Sequence, residues 1–149
     1  MKPIADELEK IIDESLPALN DISQEKFSKK ENPGKWSKKE ILGHLIDSAQ
    51  NNIRRFIVAQ YEDRPKITYN QDKWVTISNY QSYPTNDLIK LWELMNRHIC
   101  YILRNTSEEM SQRESQTEAM HSIEWLAADY NKHLLHHLHQ VLDLEPVSY

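Results

Sequence analysis

A chain of 149 residues, 39% of them hydrophobic, is long enough to bury one sizeable core, and a single domain over residues 1–149 is the expectation. Its formal charge of −5 and the absence of a concentrated basic patch exclude a nucleic-acid surface, and no run of residues approaches a membrane span. The only cysteine, Cys100, rules out an intrachain disulfide, and Asp6, Glu7, Glu9 and Lys10 interrupt any signal-like apolar stretch, so a soluble cytoplasmic protein is expected.

Two glycines in the whole chain, and apolar residues recurring at helical spacing, predict an all-α fold. The first helix is predicted from Pro3 to Leu19, with Ile4, Leu8, Ile11, Ile12 and Ser15 along one side and Pro17 expected to end or kink it. The second opens at Ser37. Its hydroxyl can cap the amide three residues on while Glu40 reaches back, and Trp36 can pack onto Ile41. This helix is predicted to continue to about Tyr61. Gly43 in its middle weakens it, which points to close approach by another element.

Residues Glu62 to Pro84 form a connection far longer than an antiparallel turn requires, so a crossover is predicted between helices two and three. That connection lets helices two and three run parallel, giving an up-down-down-up four-helix bundle. The crossover carries Tyr69, Trp74, Tyr80 and Tyr83, which must pack against the bundle; a seam is expected ahead of a pocket. The third helix is predicted from near Thr85 to Asn105. The fourth begins near Ser122 and turns Ile123, Leu126, Ala127, Tyr130, Leu134, Leu138 and Val141 inward.

Four of the seven histidines fall in the segment Asp129-Tyr130-Asn131-Lys132-His133-Leu134-Leu135-His136-His137-Leu138-His139. Positions i and i+4 lie about 40° apart on a helix, so His133 and His137 can reach one ion. Both flank the inward arc, whereas His136 and His139 are expected in solvent. The glutamate of an H-E-x-x-H protease motif is missing, since Leu134 stands in its place. His44 leads as a third ligand, with His98 and His121 as weaker alternatives. Ser48, Asn51 and Arg55 continue its stripe as a polar row, which periodicity alone reads as a partly exposed edge and otherwise as the polar wall of a metal-containing cleft.

Three segments then act together. Gly43-His44-Leu45-Ile46-Asp47-Ser48 with Asn51 and Arg55, Tyr69-x-Gln71-Asp72-x-Trp74-Val75, and Asp129-Tyr130-x-x-His133-x-x-x-His137-Leu138 occur in the order found in the DinB/YfiT-like superfamily, which this chain resembles over nearly its whole length. The resemblance implies a four-helix bundle binding a divalent metal, zinc or nickel first, through His44, His133 and His137. It also implies an enzyme in which a metal-bound water or thiolate is the reactive group, and a homodimer. Low-molecular-weight-thiol S-transfer is the preferred activity. A metal-dependent hydrolase and a noncatalytic metal-binding dimerisation bundle are the alternatives. Asn51, Gln71 and Trp74 are candidates to line the substrate pocket, and Asp47 and Asp129 to accept the second N–H groups of the ligand histidines.

Overall fold

In a computed structural model describing residues 1–149, the four long segments are helices α1 (Lys2–Asp21), α3 (Lys38–Val58), α5 (Thr85–Asn105) and α7 (Ile123–Val141). Short helices α2 (Gln24–Ser28), α4 (Gln71–Ser78) and α6 (Glu108–Ser111) fill the connections. A small antiparallel hairpin, β1 (Glu114–Gln116) with β2 (Met120–Ser122), leads into α7. Sequence periodicity could not reveal these pieces because each is shorter than the window over which a pattern repeats.

The capping residues behave as their chemistry demands. Ser37 Oγ accepts from the Glu40 amide at 3.1 Å, and the Glu40 carboxylate accepts from the Ser37 amide at 2.8 Å, closing a capping box at the start of α3. Ser122 Oγ similarly accepts from the Trp125 amide at 3.2 Å and begins α7. Pro17 does not end α1, which runs on to Asp21; the missing N–H removes a rung without breaking the helix.

Polar bonds give the helix directions. Arg104 meets Asp6 and Glu9 while Arg97 meets Asp13, so α1 and α5 are antiparallel. Lys39 reaches Gln81, just before α5 begins, and Gln60 reaches Thr106, just after it ends, so α3 and α5 are parallel. Lys38, at the start of α3, bonds the carbonyls of Gln140 and Val141 at the end of α7, so this pair is antiparallel. The result is the up-down-down-up bundle, with the crossover between α3 and α5. Leu8, Ile12, Leu45, Phe56, Trp92 and Leu134 belong to one cluster of 27 buried residues at its centre.

Within that core, Asn96 is fully buried; its Oδ1 accepts from the Tyr130 hydroxyl at 2.6 Å and its Nδ2 donates to the Trp92 carbonyl at 2.8 Å. Removing the hydroxyl leaves a buried amide oxygen without a donor. Tyr130→Phe should therefore lower stability by about 1–3 kcal/mol, read as a fall in urea midpoint at unchanged slope.

Candidate metal centre

Helices α3 and α7 face one another, and their antiparallel packing brings His44 opposite His133 and His137. One ligand-capable atom from each of the three imidazoles lies within 4.8 Å of the other two. The ring centroids are 5.1, 5.0 and 4.6 Å apart, and the rings meet nearly edge-on. His44 is 1% exposed while the other two are half-buried, so the cluster has a closed side on α3 and an open side on α7. Trp36 lies against His44 with ring centroids 5.1 Å apart.

The donor set fits a divalent ion. His44 Nε2 and His133 Nε2 are 3.2 Å apart. Two nitrogens each about 2.1 Å from one ion, a tetrahedral angle apart, would be separated by about 3.4 Å. Burial favours the neutral, ligating form of each ring. It pushes His44 down to about 4, with His137 nearby adding to the effect, and His133 down to about 3, with His137, His44 and His136 adding. Burial also lowers His137.

These shifts set a pH dependence. Unfolded histidines take up protons below about 6.5 and the folded ones do not, so the metal-free protein should lose stability as pH falls from 6.5 toward 4. Asp47 opposes this, since burial raises its carboxyl to about 6 and the folded state then binds the extra proton. One carboxyl acts against three imidazoles, so the net sign holds. Urea unfolding between pH 7.5 and 4.5 should show the decline, and His133→Gln should flatten it.

The carboxylates expected behind the histidines make no hydrogen bond to them. Asp47 accepts from the Tyr80 hydroxyl through Oδ1, while its Oδ2 and His44 Nδ1 are both buried without partners. Asp129 accepts from the Tyr149 hydroxyl at 3.0 Å. The Nδ1 of His137 instead meets Gln140 Oε1 at 2.9 Å. Both aspartates lie on the same helices as the histidines, but one oxygen of each accepts from a phenol brought in by another segment. His136 and His139 also depart from expectation. Residues after α7 fold back along it, and the Val147 and Glu145 carbonyls lie 2.8 and 2.6 Å from their Nδ1 atoms, leaving both rings half-buried.

Beside the cluster is a cavity of about 690 Å³, lined on α3 by Ser48, Asn52 and Arg55 and on α7 by Asp129 and His133. The crossover residues Tyr69 and Gln71 and the hairpin turn Thr117 to Ala119 complete it. The crossover thus walls a pocket instead of covering a seam. The polar row is interior too, with Ser48 3% and Asn51 5% exposed. Of the residues considered for the pocket, Gln71 lines it. Asn51 and Trp74 do not: the Asn51 amide donates to the Asp47 carbonyl at 2.9 Å, and Trp74 packs edge-on against Tyr69 at 5.5 Å. Asn52, Tyr69, Trp125 and Tyr149 also line it, beyond the residues that the sequence marks as pocket candidates. Asn52 had a signal, because a polar side chain there breaks the apolar arc. The turn and Tyr149 had none.

Comparisons with known proteins agree with this architecture. The family model of the DinB superfamily matches residues 7–141. A Halalkalibacterium halodurans protein named "Putative metal-dependent hydrolase" is 29% identical over 106 residues, 69% of this chain and 61% of the relative. A Bacillus mycoides protein of the same descriptive name is 27% identical over 94 residues, 62% of this chain and 54% of the relative. The chain thus spans between half and two thirds of these curated relatives. YfiT from Bacillus subtilis, described as "a probable metal-dependent hydrolase with an unusual four-helix bundle topology", superposes with a TM-score of 0.84 at 18% identity, covering 95% of this chain and 83% of YfiT. The mycothiol-dependent maleylpyruvate isomerase superposes with a TM-score of 0.77 at 13% identity, covering 98% of this chain and 61% of the isomerase. At these identities the two structures establish the shared fold.

Proposed function

This chain belongs to the DinB superfamily, and from that premise we propose that it is a metal-dependent enzyme in which His44, His133 and His137 hold a divalent ion, zinc or nickel, beside a small-molecule pocket. The observation that carries this reading is the convergence of three imidazoles from two helices, one of which, His133, lines a polar cavity. Three ligands leave positions open, which distinguishes a reactive site from a closed structural one. Bound there, such an ion supplies Lewis-acid chemistry and lowers the pKa of a thiol or water presented to it.

The chain's own residues supply the rest. Buried His44, backed by the half-buried Trp36 ring, closes the α3 side of the cluster, and the half-buried rings of His133 and His137 leave access from the α7 side. Ser48, Asn52 and Tyr69 offer hydrogen bonds that orient a substrate in the cavity. A polar cavity suits a low-molecular-weight thiol, so thiol S-transfer is the preferred activity. Hydrolysis is the second reading, favoured by the names of the curated relatives. A homodimer is part of the proposal, with exposed Leu94 and Tyr101 on α5 as candidate contacts. Buried, unpaired Cys100 suits a reducing cytoplasm.

Elemental analysis of protein purified without chelators or a metal-binding tag should find about one divalent ion per chain. The loaded protein should consume a low-molecular-weight thiol in the presence of an electrophile, and chelation should abolish this. A chain that stays metal-free after exposure to zinc and nickel overturns the reading. Full metal loading with ester cleavage and no thiol consumption selects hydrolysis.

A further inference from the structure

Arg55 is the only arginine or lysine lining the cavity, and none of the chain's ion pairs engages it. It stands eleven residues after His44. Eleven steps of about 100° return to within about 20° of the same face, roughly 16 Å along the helix axis. Arg55 therefore projects on the same side of α3 as His44, three turns away. Its Nε and Nη2 donate to the Ile67 carbonyl at 3.2 and 3.0 Å, and Nη1 donates to Asn52 Oδ1 at 3.3 Å. A guanidinium carries five N–H groups, so these bonds leave two for a ligand. The Tyr69 ring, 6.0 Å from the guanidinium carbon, helps fix its plane.

Across the cavity on α7 stands Asp129, one turn from His133. One of its oxygens takes the Tyr149 hydroxyl and the other makes no hydrogen bond. The remaining carboxylates of the lining, Asp72 and Glu118, are exposed at the rim, where solvent screens them. Half-buried Arg55 and Asp129 thus face one cavity from opposite helices without forming an ion pair, each with hydrogen-bonding capacity to spare. A ligand with a single negative charge would satisfy Arg55 and be repelled by Asp129.

We propose that the stretch of the cavity between His133 and Arg55 recognises an amino-acid-like zwitterion, with Arg55 at the far end taking the carboxylate and Asp129, one turn from His133, taking the ammonium. A guanidinium binds a planar carboxylate through two parallel N–H groups, which gives orientation as well as attraction. This inference rests on the reading of the cavity as a substrate site and specifies the substrate class: a small molecule with its reacting group toward His133 and an α-amino acid terminus toward Arg55.

Calorimetric titration of the metal-free and zinc-loaded full chain with L-norleucine, hexanoate and pentylamine tests it. L-norleucine should bind at least 10-fold more tightly than either singly charged analogue in both forms. Arg55→Gln should reduce norleucine to the affinity of pentylamine, and Asp129→Asn to that of hexanoate. Arg55→Lys, which keeps the charge and loses the fork, should retain part of the preference, and Asp129→Asn keeps the test available if Arg55→Gln fails to fold. Equal binding of the three probes, or norleucine affinity unchanged in Arg55→Gln or Asp129→Asn, overturns the proposal. The metal reading is separated by L-homocysteine, which should gain affinity from zinc; no gain counts against the metal site while the norleucine result still decides the zwitterion site.

Discussion

Replacing His133 with alanine is expected to cut the bound metal from about one ion per chain to nearly none, and His44→Ala and His137→Ala should do the same. Each imidazole is one of three donors in a cluster spanning 4.8 Å, with no fourth protein donor in the group. Since losing an outer partner of a ligand typically costs 10–100-fold in affinity, losing a ligand itself should cost more than about 100-fold. His136→Ala and His139→Ala are the controls. Their rings bond the returning C-terminal segment, and metal content should be unchanged. Binding should also stabilise the fold by mass action, about 4 kcal/mol when free metal exceeds its dissociation constant 1,000-fold. Thermal melting with and without zinc should show that increment in the parent chain and its loss in the three variants. A variant that retains stoichiometric metal would remove that histidine from the site.

The second large effect comes from a residue that binds nothing. Gly43→Ala should destabilise the protein by about 2 kcal/mol, even though alanine favours a helix over glycine by about 1 kcal/mol. A Cβ built at Gly43 would lie 2.1 Å from a carbon of the Tyr80 ring, too close for either to stay in place. Moving that ring would also disturb its hydroxyl's bond to Asp47, which lies between His44 and the polar row. A double-mutant cycle gives the sharper test. In a Tyr80→Ala background the clash disappears, and Gly43→Ala should become neutral or slightly stabilising. Additive losses in the two variants would show that the glycine has another role. The consequence should extend to the metal centre, with weakened metal binding in Gly43→Ala because His44 is the next residue along.

Much of the site was legible because helices convert spacing into direction. His133 and His137 could be paired from one turn of helix, and Gly43 announced a close neighbour before Tyr80 could be named as that neighbour. The placement of His44 needed more, because no local pattern relates positions 44 and 133; the family resemblance supplied the pairing, and antiparallel packing of α3 on α7 gives it a physical basis. Asp47 and Asp129 show where such reasoning stops. Sequence placed them on the right helices, but a carboxylate bonds whichever donor arrives, and the phenols of Tyr80 and Tyr149 come from segments remote in the chain.

The sequence by itself determined the four long helices, the capping box that opens α3, the crossover and hence the order of helix directions, because each depends on short-range chemistry or on the length of a connection. Only the tertiary structure decided that the crossover and the β1–β2 turn enclose a cavity and that Ser48 and Asn51 are interior. It also decided that Arg55 faces Asp129 across that space. Such facts depend on how irregular segments pack against the helices, and irregular backbone carries no repeating pattern from which its path can be read.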